Sequence, residues 1–154
     1  RKLYPHYSPS DILFAATTAG RSWRGAIMEA EARAEQGAPA YVYQLDWGSP
    51  LDDGKFGAFH SLDIPLVFDT LLQPGSRTGN SPEAQKVADH MSRALLAFAK
   101  TGNPSHSGIP RWKPYSLKNR ETLVIDVTCR LENDPRGEER KFYAQAPFVQ
   151  RGTF

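Results

Sequence analysis

An α/β fold is what this sequence predicts, and three stretches carry the prediction. Ala40-Tyr41-Val42-Tyr43-Gln44-Leu45 alternates in the manner of a strand and follows directly on a helical run. Ser81-Pro82-Glu83 opens a long amphipathic helix. Glu121 to Thr128 is a second run rich in β-formers. Helices around two or three strands make a layered α/β arrangement, but a sheet that small is a poor independent domain.

Taken in order, Ser8-Pro9-Ser10-Asp11 reads as a helix start, with Ser8 as cap, Pro9 in the first helical position and Asp11 reaching back. Ile12, Leu13, Ala15 and Ala16 supply the apolar content until Gly20 interrupts it. Trp23, Ile27, Ala30 and Ala34 then recur at helical steps, with Trp23 and Ile27 read as core. Gly37 is placed to end that helix, and Pro39 prevents its resumption. Over residues 40–47, Tyr41, Tyr43, Leu45 and Trp47 fall on one side of a strand, and Val42, Gln44 and Asp46 on the other. Residues 48–54 form a polar loop leading to His60, which precedes the apolar run ending in Leu66-Val67-Phe68. Residues 73–80 are too polar and Gly-rich to be an element. In the helix from Ser81, Val87, Met91, Leu95 and Phe98 form the expected apolar stripe, beside Ala84, Ala88 and Ala94, and Gly102 closes it. Trp112 and Tyr115 are expected to anchor an irregular segment. Cys129 to Glu132 continues or pairs with the second strand, and Glu138 to Gln145 is a terminal helix before a loose end.

Composition narrows the function classes. With 19 basic and 17 acidic residues among 154, and no long like-charge run, nothing points to a nucleic-acid partner. No apolar stretch reaches the roughly 18 residues of a membrane span, and the N-terminus lacks the apolar middle of a signal peptide. The compartment stays open. Cys129 is the single cysteine, so no disulfide forms within the chain. No H-x-x-x-H or H-E-x-x-H spacing, G-x-G-x-x-G or Walker pattern occurs, so neither a metal nor a cofactor is expected.

Four histidines carry most of the available chemistry. His6 and His106 lie in polar stretches and read as exposed, while His90 borders the apolar helix stripe and reads as structural. His60 differs, because it stands between Gly57-Ala58-Phe59 and Ser61-Leu62-Asp63-Ile64-Pro65. A strand emptying into a loop with a polar residue is how open α/β sheets build sites. Imidazole titrates near neutrality and suits general acid–base work. Two roles are open on these grounds: a general base beside a cleft, or a histidine satisfied at a helix start.

The ordered set Ala38-Pro39-Ala40-Tyr41-Val42-Tyr43-Gln44-Leu45-Asp46-Trp47, then Gly57 to Phe68, resembles the type-B carboxylesterases, the family of para-nitrobenzyl esterases and cholinesterases. The likeness continues through Ala97-Phe98-Ala99-Lys100-Thr101-Gly102-Asn103-Pro104 and Pro110-Arg111-Trp112-Lys113-Pro114-Tyr115, and covers Ser8 to about Asp126. It implies the α/β-hydrolase fold, in which the triad runs Ser, then Asp or Glu, then His along the chain. His60 matches the family's catalytic histidine. By the same resemblance Phe56, Phe59 and Leu62 are substrate-pocket candidates, with core packing as the alternative for Phe59 and Leu62. Asp63 is expected to make a buried structural hydrogen bond rather than to join the triad.

No G-x-S-x-G lies between Arg1 and Phe154; Gly20-Arg21-Ser22-Trp23-Arg24 lacks the last glycine, and the Gly-rich oxyanion loop is absent too. Asp11 and Glu29 fall within helices and are not assigned as the acid. Residues 1–154 therefore read as the C-terminal segment of one α/β-hydrolase catalytic domain, whose N-terminal part holds the nucleophile. The implied partner is a small-molecule ester, with the N-terminal part or a second copy covering the exposed faces. The competing reading is a non-catalytic, cholinesterase-like adhesion module.

Overall fold

Ser8 caps helix α1 (Pro9–Thr18) in the computed structural model, which describes residues 2–148. Its hydroxyl accepts from the Asp11 N–H at 3.2 Å, and the Asp11 carboxylate accepts from the Ser8 N–H at 3.0 Å, closing the predicted capping box. The described chain divides into two compact units, one from Arg1–Ala40 with Asp134–Phe154, the other Tyr41–Asn133.

In the first unit Gly20 does not break the helix. The backbone widens into a single π-type turn, Ala19–Trp23, and continues as α2 (Arg24–Glu35). A Cβ at Gly20 would sit 3.4 Å from the Tyr143 ring, so the glycine makes room for a neighbour rather than ending an element. The Tyr143 hydroxyl donates to the Ala16 carbonyl at 3.0 Å. Ile27 is buried as predicted, and Ala30 is buried with it. Trp23 is only half-buried, because the Arg136 guanidinium, 4.5 Å from its ring centre, covers it in place of an apolar neighbour. Helix α2 ends in a Schellman motif: Gly37 takes φ +69°, its N–H donates to Ala34, and the Ala38 N–H donates to Arg33. The terminal helix, numbered α5 in chain order, spans Gly137–Tyr143 and is held by Arg140 on Asp134 and by Arg136 and Tyr4 on Glu139. Burial and the Glu139 carboxylate push the Tyr4 phenol up to about 12. The loose end predicted beyond it reaches into residues 149–154, outside the described residues.

The second unit is built on a three-stranded sheet in the order β1 (Val42–Leu45), β2 (Glu121–Ile125), β3 (Arg130–Asn133). Strands β1 and β2 are parallel, with Val42 opposite Thr122; β2 and β3 are antiparallel, with Leu123 opposite Leu131. All five residues of β2 are buried, as befits a strand covered on both faces. It stops at Ile125, short of the predicted Thr128, because the Asp126 carboxylate takes the Val127 N–H at 2.7 Å and turns the chain. The residues after Cys129 then return antiparallel, which settles the pairing alternative.

Helix α4 (Pro82–Thr101) is capped by the Ser81 hydroxyl on the Ala84 N–H and closed by Gly102 at φ +73°. Its buried face is Ala84, Val87, Ala88, Met91 and Ala94, whereas Leu95 and Phe98 are 40% and 48% exposed. The predicted stripe thus splits, because small alanines let the first turns approach the core closely while the last turns run past it. Short α3 (Asp63–Val67) packs on α4 through Leu62 and Leu66, and these join Val87, Met91, Trp112, Leu123 and Ile125 in the core. Trp112 and Tyr115 are buried anchors, as expected. Among the described residues no helix is long and apolar enough to cross a membrane.

Candidate active site

The loop after β1 is a hairpin-like excursion closed at its neck. Asp46 and Trp47 both donate their N–H groups to the Ile125 carbonyl, carrying the chain past the end of the sheet. Gly48 then meets the returning arm so closely that a Cβ on it would lie 3.0 Å from the Gly57 backbone. The Ser49 N–H donates to the Gly57 carbonyl at 3.0 Å and seals the neck. Between the two arms the tip is a tight turn, Leu51–Gly54, in which Asp52 and Asp53 both adopt positive φ.

His60 follows at once. The Leu62 N–H donates to the Phe59 carbonyl at 3.2 Å, so His60 and Ser61 are the central pair of a four-residue turn. Ser61 has φ +71°, the left-handed conformation that type II turns adopt at their third position. Leu62, with no exposure, pins the turn to the core. Fixing both neighbours while leaving the tip outside makes His60 an exposed side chain on an anchored backbone. Among the described residues its ring makes no hydrogen bond.

The other predicted residues divide by depth. Phe56 is 47% exposed and Phe59 half-buried, and both rings face the Arg77 guanidinium. Leu62 presents no surface and belongs to the hydrophobic core, which favours the packing alternative for it. Asp63 is turned toward β1, accepting from the Tyr43 hydroxyl at 2.8 Å, as the structural role predicts, though at a half-buried rather than buried position. Burial and that carboxylate hold the Tyr43 phenol well above its ordinary range.

His106 is not simply exposed. Its ring bonds the His90 carbonyl at 3.1 Å and the Gly108 N–H at 3.1 Å, folding the 103–110 segment onto α4. His90 is buried beside the Val127 carbonyl, and the burial lowers its pKa. An open cleft of about 240 Å³ lies there, lined by Lys86, His90, Ile109, Val127 and Cys129 among others. None of its lining residues belongs to the His60 loop, and burial raises the Cys129 thiol pKa, which keeps it a poor nucleophile. Among the described residues no group of three or more His, Cys, Asp or Glu is placed to hold a metal ion.

Sequence reasoning passed over Arg77, Asp52 and Ser49. Arg77 and Asp52 form an ion pair of 2.7 Å across 25 residues of chain, and Ser49 bonds the Arg77 carbonyl. The available signal was the pair of opposite charges in two loops flanking His60, which sequence alone cannot bring together.

A model of the carboxylesterase family matches residues 11–143. The para-nitrobenzyl esterase of Bacillus subtilis (strain 168) is 36% identical over 134 residues, 86% of this chain and 25% of that protein. Liver carboxylesterase B-1 of Rattus norvegicus is 30% identical over 123 residues, 77% of this chain and 21% of that protein. Among solved structures, a carboxylesterase of Geobacillus stearothermophilus superposes with a TM-score of 0.79 at 32% identity, over 90% of this chain and 29% of that one. A para-nitrobenzyl esterase gives 0.74 at 33% identity, over 92% and 28%. The α/β-hydrolase expectation is thereby borne out. The chain spans about a quarter of the length of the curated relatives it matches. With one family model covering most of its length and relatives above 30% identity on both comparisons, the chain belongs to the carboxylesterase family.

Proposed function

We propose that this chain is the C-terminal segment of an α/β-hydrolase catalytic domain, and that the full-length protein hydrolyses carboxylic esters through a Ser–acid–His triad with His60 as its base. The observation that carries the reading is the placement of His60: an exposed imidazole on a doubly anchored turn beyond the end of β1, inside the family match. A base must reach a nucleophile supplied from outside these residues, and a side chain exposed at the tip of a fixed turn is suited to that.

In the first half-reaction the serine hydroxyl attacks the ester carbonyl while the His60 ring takes its proton. The tetrahedral intermediate collapses as the imidazolium returns the proton to the leaving alcohol, and water repeats the sequence on the acyl-enzyme. The second ring nitrogen faces the triad acid, also outside this chain. Phe56 and Phe59 form apolar walls beside the base, and Leu62 belongs to the core against which Phe59 packs. Substrates are small-molecule esters. The remaining part of the domain, or a second copy, covers the apolar faces this chain exposes.

The coding sequence upstream of Arg1 supplies the first test. A G-x-S-x-G elbow followed by an acid-bearing loop supports the enzyme, and a replaced serine favours a non-catalytic module. Purified residues 1–154 are expected to show no phosphonate-sensitive turnover of nitrophenyl acetate, since a base without its nucleophile loses nearly all triad catalysis. Robust turnover by that piece would overturn the assignment.

A further inference from the structure

Arg77 lies in the Gly- and Ser-rich turn before α4, and the triad reading makes no use of it. Its backbone has φ +56°, where residues other than glycine are uncommon and need local support. That support is present. The Arg77 carbonyl accepts from the Ser49 hydroxyl at 2.5 Å, and the next residue, Thr78, has no exposure. From this anchor the guanidinium reaches Asp52 at 2.7 Å and lies over two rings, 5.2 Å from the centre of Phe56 and 5.8 Å from that of Phe59.

These contacts touch every part of the excursion that carries His60. Asp52 is on its tip, Phe56 on the returning arm, and Phe59 is the first residue of the histidine turn. Ser49, which holds the Arg77 backbone, also seals the neck against Gly57. A planar guanidinium can pair with a carboxylate in its plane and stack with aromatic rings on its faces, which an ammonium cannot do equally well. Each contact is weak, because the pair is half-exposed and stacked cations at such sites contribute little. Their common target is the pose of one loop. Misplacing a reacting group by about 1 Å can cost on the order of 100-fold in rate.

We propose that Arg77 is a positioning residue for His60, bracing Phe56 and Phe59 so that the histidine turn holds one orientation. The inference rests on the reading of His60 as the general base.

The test uses the full-length protein. Arg77→Gln is expected to lower kcat by about 10-fold or more while KM stays within about twofold, since orientation and not substrate affinity is lost. Arg77→Lys, which keeps the charge for Asp52 and the rings, is expected to recover part of the loss. The thermal midpoint and the fraction folded are measured on the same samples. A kcat of Arg77→Gln within about twofold of the parent, an Arg77→Lys variant no better than Arg77→Gln, or a loss equal to the unfolded fraction would each overturn the inference. If Arg77→Gln fails to fold, Asp52→Asn is judged by the same criteria on kcat and KM. His60→Gln separates the two ideas. An active His60→Gln brings down the base assignment and this inference together, whereas an inactive His60→Gln with an unimpaired Arg77→Gln brings down this inference alone.

Discussion

His60 and Asp63 stand three residues apart on the chain, yet only Asp63 has a side-chain hydrogen-bond partner among the described residues. Asp63 is engaged by the Tyr43 hydroxyl on β1, while the His60 ring makes no hydrogen bond among the described residues. Adjacency in sequence therefore does not make Asp63 the triad acid. Asp63→Asn in the full-length protein is expected to keep activity within about 10-fold, whereas replacing a true triad acid costs roughly 10⁴ in kcat. The same change weakens one hydrogen bond and should cost about 1 kcal/mol in a urea titration. A loss of several thousandfold in kcat with a normal fold would make Asp63 the acid. At this scale much of the site was legible: a histidine between a glycine loop and an apolar run, and an acid one helical turn on. The Arg77 brace was not, because its members at 49, 52, 56, 59 and 77 meet only when two loops fold against each other.

Element boundaries followed local chemistry where that chemistry was self-contained. Capping at Ser8 and Ser81, and termination at Gly37 and Gly102, were readable because each cap is made within five residues of chain. The errors arose where a distant partner decided the outcome. Gly20 accommodates Tyr143, more than a hundred residues away, and the stripe on α4 stops being buried where the core beneath it ends. The buried side of α4 also has a titration consequence. Burial depresses His90, with Lys86 and His106 adding to the effect and the Val127 carbonyl and Asp89 opposing it. A depressed folded value means that the unfolded chain binds more protons just below its ordinary pKa of about 6.5. Unfolding free energy should therefore fall as pH drops below about 6.5, levelling off once pH passes under the folded value. His90→Gln should flatten that slope in pH-dependent urea titrations, and an unchanged slope would remove His90 as its source.

As a whole the chain places the proposed base, His60, beside a sheet of three strands among the described residues. Strand β1 is at one edge of that sheet, and Ile64, Phe68 and Leu72, at 54%, 65% and 81% exposure, follow close after the histidine turn. Paired edges and covered apolar surface are the rule in α/β folds, and both are what the rest of a hydrolase domain would supply. Composition gave no hint of a partner part; the proposal that the nucleophile lies outside residues 1–154 rests on the lack of a G-x-S-x-G within them. The central claim is that His60 is the base of an esterase triad. The most direct measurement is the steady-state hydrolysis of nitrophenyl acetate by the full-length protein carrying His60→Gln, with folding checked by thermal melting. The account predicts a fall in kcat of roughly 10⁴ or more with an unchanged melting temperature. A folded His60→Gln protein that keeps activity within about 10-fold of its parent would contradict it.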